Sequence, residues 1–120
     1  MKAVDETDPF AILSDPIRRR IVELLADGER PAGEIAAQFD VTGPAISRHL
    51  RVLRGSGIVT HRREAQRWLY SLNPKPIEDA HRWMLSTLNA WSRAFDALGK
   101  HLDRMEESEK KSRRKSLRHK

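Results

Sequence analysis

Apolar residues in the first half of the chain recur at the three- and four-residue spacing of amphipathic helices, and each run follows a helix-start signal. Asp8-Pro9 and Asp15-Pro16 each pair a capping side chain with a proline in the first turn. Pro31 opens a third run, and Thr42 caps a fourth. The pattern therefore predicts four helices, which cover residues 9–13, 16–27, 31–40 and 42–54.

The spacing of apolar residues changes from a period of 3.6 to a period of 2 after Gly57. Residues 58–64 and 67–72 are rich in β-branched and aromatic side chains, and only Ala65-Gln66 separates them. This pattern predicts a β-hairpin with a short turn. Because Ala-Gln is unusual in a two-residue turn, a longer loop is the open alternative.

A long helix is predicted after the break at residues 73–76, with Glu78 and Asp79 in its first turn, where the helix dipole favours negative charge. Its large apolar residues alternate between steps of four and three, the spacing of a coiled-coil seam. This seam comprises Met84, Leu88, Trp91, Phe95, Leu98, Leu102 and Met105. A helix of about 28 residues is ~42 Å long, more than a body of this size covers. We therefore expect a second copy of the chain to cover the seam in a homodimer.

The composition adds localised positive charge and excludes several chemistries. The chain has 120 residues, enough for one domain, and no cysteine, so disulfides, thiolate metal sites and cysteine nucleophiles are excluded. Residues 43–67 carry six arginines against Glu64 alone, and residues 110–120 carry seven basic side chains and no acid. Such clustering is typical of proteins that bind a polyanion.

Enzymatic and membrane functions find no support in the sequence. It contains no glycine-rich phosphate loop, no His-x-x-His pair and no recognisable Ser-His-Asp arrangement, so we expect neither catalysis nor a cofactor. No apolar run approaches the ~18 residues of a membrane span, and the acidic start is unlike a signal peptide. We therefore expect a cytoplasmic protein without a membrane partner. Residues 106–120 lack an apolar stripe and are predicted to be a disordered basic tail.

Two short helices with a tight connection, followed by a basic hairpin, predict a winged helix-turn-helix fold. The fold class is mostly α with a small β-hairpin, covering residues 8–105 and dimeric through the helix at 76–105. The fourth helix buries Ile46, Leu50 and Leu53, so its opposite face is free to enter the major groove of double-stranded DNA. The hairpin tip offers arginines to phosphates or to the minor groove.

The residues predicted to contact DNA lie on the outer face of the fourth helix and at the hairpin tip. They are Thr42, Gly43, Pro44, Ser47, Arg48, His49, Arg51, Arg62, Arg63, Gln66 and Arg67. His49 lies between the buried and outer faces, where phosphate contact is favoured and packing is the alternative. Two recognition helices in successive major grooves predict an inverted-repeat operator. The competing interpretation is a protein-interaction module that docks a foreign partner on the seam.

Three stretches carry a family resemblance: LSDPIRRRIVELL (13–25), GEIAAQFDVTGPAISRHLRVLRGSGIV (33–59) and RREAQRWLYSL (62–72). Through them, residues 9–72 resemble the ArsR/SmtB family of bacterial transcriptional regulators. The resemblance implies a dimeric winged-helix DNA-binding protein, usually a repressor. It also implies that the first and last helices form the dimer interface, which adds Phe10 and Leu13 to the seam residues. Whether a small effector binds between the long helices is left open.

The metal sites of this family are not reproduced in the sequence. Metal-sensing members carry a cysteine pair at the start of the helix-turn-helix, where this chain has Pro31 and Gly33. A second family site uses Asp and His on the last helix, and Asp79 and His81 resemble one half of it. The other half is absent, because Ser92 stands where the next histidine is expected. The resemblance therefore points to the branch without metal control.

Overall fold

The computed structural model describes residues 7–118, with side chains described through residue 116. The chain divides into two compact units, with the boundary between residues 81 and 82. The elements are α1 (Pro9–Ile12), α2 (Pro16–Leu25), β1 (Arg30–Pro31), α3 (Ala32–Ala37), α4 (Gly43–Gly55), β2 (Val59–Glu64), β3 (Arg67–Leu72) and α5 (Lys75–Arg118).

Three helices begin at the capping residues that the sequence predicts. Asp8 accepts a hydrogen bond from the backbone N–H of Phe10 at the start of α1. The Asp15 carboxylate accepts from the N–H groups of residues 17 and 18, at 2.8 and 3.1 Å. The Thr42 hydroxyl accepts from the N–H of Ala45 at 3.3 Å. These side chains satisfy donors that have no partner within the helix, which is why each helix begins there.

The predicted hairpin is present and has the shorter of the two possible turns. Glu64 pairs with Arg67, so Ala65 and Gln66 alone form the turn, and Ala65 adopts a left-handed φ of 55°. Strand β1, which the sequence pattern does not predict, pairs with β3 and gives a three-stranded antiparallel sheet of order β1-β3-β2. Pro31 therefore ends a strand and precedes α3, whereas the sequence pattern placed it inside a helix.

The core lies between the helices and one face of this sheet. The predicted inner stripe of α4 is confirmed: Ile46, Leu50 and Leu53 are all buried. They belong to a cluster with apolar residues from α1, α2, α3, the sheet and the position just before β2, namely Ile12, Ile21, Leu25, Ile35, Ile58, Val59 and Tyr70. Five residues, 38–42, connect α3 to α4, so the two helices form the predicted helix-turn-helix.

The unit that begins at Arg82 is a single continuous helix through Arg118. Its apolar seam is exposed, from 41% at Met84 to 66% at Phe95. The prediction of disorder after residue 105 is corrected for residues 106–118, which are helical; residues 119 and 120 lie outside the described chain. Residues 100–118 contain neither proline nor glycine, so no helix-breaking residue interrupts this segment. No helix within residues 7–118 is long and apolar enough to cross a membrane.

Replacing Leu53 with alanine tests whether the inner stripe of α4 anchors the fold. Leu53 is fully buried, so Leu53→Ala is expected to lower the free energy of unfolding by about 2–5 kcal/mol through lost burial and cavity formation. Urea denaturation followed by circular dichroism measures this difference. Val41→Ala is the control, because Val41 is 42% exposed and its truncation is expected to cost less than about 0.5 kcal/mol. Equal effects from the two substitutions would contradict the assignment of the core.

Candidate nucleic-acid interface

The outer face of α4 is exposed along its first half. Ser47, Arg48 and Arg51 are all exposed, opposite the buried stripe. Thr42, Gly43 and Pro44, at the start of the helix, are exposed as well. A methyl group added at Gly43 would meet no atom within 4 Å. This end of the helix is therefore open to a close-fitting surface, and Arg48 and Arg51 carry groups that can bond bases or phosphates there.

The tip of the hairpin forms a second exposed basic surface, made of Arg63, Gln66 and Arg67. The Arg63 guanidinium lies 5.6 Å from the centre of the Trp68 ring and donates a hydrogen bond to the backbone oxygen of Ala65 at 3.3 Å. Contact with the aromatic ring restrains this arginine while its charge stays in solvent. The structure places Arg63, Gln66 and Arg67 together at the tip, whereas Arg62 lies beside Glu29.

Arg62 forms ion pairs within its own chain while its side chain is 57% exposed, so its predicted contact with DNA stays a prediction. Its guanidinium donates two hydrogen bonds to the Glu29 carboxylate, at 2.8 and 2.9 Å, and a third to Glu64 at 3.2 Å. The Ser71 hydroxyl donates to the same Glu29 carboxylate at 3.0 Å. The hydrogen bonds from Arg62 hold the pKa of Glu29 below its ordinary value, and Glu29 in turn raises the pKa of Arg62. Arg62 therefore ties the hairpin to the segment that follows α2.

His49 has intrachain contacts that fit the packing alternative, and its phosphate contact stays a prediction. Its side chain is only 16% exposed, and its Nδ1 lies 3.3 Å from the Arg18 guanidinium and 4.0 Å from the Asp15 carboxylate. Arg18 is itself held by the backbone oxygen of Ile12 at 2.7 Å. Partial burial opposes ionisation of Asp15, but the N–H groups at the start of α2 and the nearby His49 hold its pKa below the ordinary value. His49 thus packs α4 against the start of α2.

A link between α4 and the hairpin was missed by the sequence analysis. Arg54 donates to Nε2 of His61 at 3.0 Å, and the His61 ring stacks on Trp68 with centroids 4.3 Å apart. Burial and the neighbouring Arg54 charge lower the pKa of His61 below its ordinary value of 6.5. Neutral His61 therefore accepts the hydrogen bond that joins the two predicted DNA-contacting elements. No local pattern identifies this pair, because its members lie on different elements.

The residues predicted for the dimer interface fall into two groups. The seam residues of α5 are exposed, as described above, whereas Leu13 is partly buried against the core of its own chain. Phe10 is 42% exposed and lines a groove with Pro9 and Pro76. Among residues 7–118, no group of three or more His, Cys, Asp or Glu side chains is placed to hold a metal ion.

Lowering the pH tests the link between Arg54 and His61. Because the pKa of His61 is lower in the folded protein than in the unfolded chain, its contribution to stability is present above pH 6.5 and is lost as the pH falls through the folded value. His61→Phe keeps an aromatic ring at this position but cannot titrate, so its free energy of unfolding is expected to fall less steeply below pH 6.5. Urea denaturation at pH 5 to 8 gives the comparison. His101→Gln, which removes an exposed histidine from α5, serves as the control and is expected to retain the wild-type slope.

Known proteins match the part of the chain that contains α4 and the start of the hairpin. The sequence profile of the arsR family of bacterial regulatory proteins matches residues 15–61. The transcriptional repressor SdpR of Bacillus subtilis (strain 168) is 40% identical over 80 residues, which cover 67% of this chain and 89% of that repressor.

Solved structures show the same fold. The crystal structure of a possible transcriptional regulator for arsenical resistance is 34% identical, with a TM-score of 0.61, and the match covers 71% of this chain and 85% of that one. An ArsR-like transcriptional regulator from Rhodococcus sp. RHA1 is 25% identical, with a TM-score of 0.68, and the match covers 78% of this chain and 88% of that one. The chain therefore belongs to the ArsR family of winged helix-turn-helix proteins, which are DNA-binding transcriptional regulators and not enzymes.

Proposed function

We propose that the chain is a transcriptional repressor that binds an inverted-repeat operator as a homodimer. The observation that carries this proposal is the two-sided character of α4, whose inner stripe is buried while Ser47, Arg48 and Arg51 are exposed. In this arrangement, Arg48 reads a base edge in the major groove and Arg51 bonds a phosphate. Relatives named as repressors, such as SdpR, support the direction of regulation.

The wing and the start of α4 supply the contacts that place α4 in the groove. Arg63 and Arg67 lie at an exposed hairpin tip, where they reach a phosphate or the adjacent minor groove. The positive end of the α4 helix dipole lies at the exposed residues Gly43 and Pro44, where it favours a phosphate. Arg62 and His49 contribute indirectly, by holding the wing and α4 in position.

The seam of α5 supports the homodimer. Seven large apolar residues at heptad spacing, from Met84 to Met105, are between 41% and 66% exposed in the single chain. An exposed apolar surface of this regularity indicates a helical partner, and an identical seam is complementary to itself. The two half-sites of an operator for such a dimer would be centred about one turn of DNA apart, roughly 34–36 Å.

Arg48→Ala tests base recognition by α4. If Arg48 bonds a base, the substitution is expected to weaken operator binding by about 1–3 kcal/mol and to relax the preference at one base pair. The operator is first selected from random duplexes, and affinity is then measured by fluorescence anisotropy at fixed salt. Arg93→Ala removes the same charge from α5 and is expected to retain that base preference. Equal weakening by Arg48→Ala on all sequences would make Arg48 a phosphate contact only, and an inability of the wild type to prefer any duplex would contradict the proposed function.

Phe95→Glu tests the seam, because it places a charge in the middle of the apolar row. The variant is expected to be monomeric at micromolar concentration and to bind the operator more than tenfold more weakly, since the two half-sites are then bound separately. Sedimentation equilibrium and anisotropy measure these effects. Ser86→Glu adds the same charge outside the seam and is expected to remain dimeric. A wild-type chain that is monomeric alone and pairs only with a foreign amphipathic helix would contradict the homodimer and support the interaction-module interpretation.

A further inference from the structure

The basic residues near the end of α5 lie on a structured helix and are free of carboxylate partners. Residues 110–116 are helical and exposed, and they carry five basic side chains and no acid. None of these side chains forms an ion pair with a carboxylate among residues 7–116. An ordered, unneutralised cluster of this density attracts a polyanion more strongly than scattered surface charges do.

The helical geometry sorts these residues by face. At 100° per residue, four of the five basic side chains fall within about 140° of the helix circumference: Lys110, Lys111, Arg114 and Lys115. Three of them line one shallow concavity with Glu107. Ser112, Arg113 and Ser116 fall outside this arc, on the other side of the helix. We call the four basic side chains the basic face.

The basic face is separate from the seam along the helix. Lys110 lies five residues, or about 8 Å, beyond Met105, the last residue of the seam. Pairing of the seam therefore leaves the basic face uncovered. Glu106 and Glu109 precede it, and repulsion from these carboxylates makes the helix surface before Lys110 less attractive to a polyanion.

We propose that the basic face binds the sugar-phosphate backbone of double-stranded DNA without reading its sequence, as a second contact in addition to α4 and the wing. This inference rests on the proposed function, because DNA held by α4 is at high local concentration for any other basic surface of the same molecule. The contact raises affinity for all duplexes equally and leaves base preference to α4.

The chemistry of the helix favours DNA over an anionic membrane. A helix that lies on a bilayer buries large apolar side chains opposite its basic face. Here the opposite side carries only polar and charged residues (Glu109, Ser112, Arg113 and Ser116), and residues 106–116 contain no large apolar residue. A basic face without large apolar side chains behind it is suited instead to a hydrated row of phosphates.

The test compares two triple variants of the full chain with equal net charge. Lys110→Gln/Lys111→Gln/Arg114→Gln neutralises the basic face, and Arg93→Gln/Lys100→Gln/Arg104→Gln neutralises three cations earlier in the same helix. Each lowers the formal net charge from +6 to +3. Affinity for the selected operator and for a scrambled duplex of equal length is measured between 50 and 300 mM KCl, with helicity checked by circular dichroism.

Neutralising the basic face is expected to weaken binding to both duplexes by the same factor, at least tenfold at 100 mM salt. The slope of log affinity against log salt concentration is expected to fall by about 2–5 for the dimer, because each lost phosphate contact removes ~0.9. The control triple variant is expected to change that slope by less than about 1. The ratio of operator to scrambled affinity is expected to remain at the wild-type value in both variants.

The outcomes separate this proposal from the function it rests on. Wild-type binding without any preference for the operator would contradict the proposed function. Normal operator preference together with equal slopes for the two triple variants would overturn the basic face as a DNA contact. Vesicles of phosphatidylcholine and phosphatidylglycerol form a third arm: a loss confined to vesicle binding would assign the basic face to a membrane and overturn the proposal.

Discussion

Burial of one face of α4 is the constraint from which the interface follows. Ile46, Leu50 and Leu53 pack into the core formed by α1, α2, α3 and the sheet, so the helix cannot rotate without exposing them. Their burial determines that Ser47, Arg48 and Arg51 face solvent. The packing that stabilises the fold therefore also fixes the orientation of the residues proposed to read DNA. A weakened core is expected to reduce the preference for one DNA sequence before it abolishes folding.

Two polar networks hold α4 in a fixed position relative to its neighbours, α2 and the hairpin. His49 and Arg18 connect α4 to the start of α2, and Arg54 connects the end of α4 to His61 in the hairpin. The second network depends on the neutral form of His61, because a protonated ring nitrogen cannot accept a hydrogen bond from arginine. Arg62 fastens the hairpin a second time, to Glu29. The arginines of this unit thus divide into those that position the binding elements and those that face solvent.

Local signals explain how much of this arrangement was predictable. Asp8, Asp15 and Thr42 cap their helices through bonds to residues two or three positions away, and the stripe on α4 is a periodicity within one helix, so the sequence alone predicts both. The two-residue strand β1 exists only because β3 lies beside it, and such short segments carry no pattern of their own. Arg62 and Glu29 are 33 positions apart, and nothing local distinguishes a paired arginine from a free one. The helical end of α5 differs again, because its polar composition suggests disorder while its lack of proline and glycine permits a helix.

Because Arg62 and Glu29 form an ion pair, dissolved salt affects both the fold of the wing and the attraction of the protein to DNA. Both side chains are partly exposed, at 57% and 30%, so counterions weaken this internal pair as they weaken attraction to phosphates. Raising the ionic strength would then loosen the wing as well as screen the nucleic acid. The measured salt dependence of DNA binding therefore contains two contributions, one from the Arg62–Glu29 ion pair and one from the contacts with phosphates. The number of phosphate contacts calculated from that dependence is an upper bound.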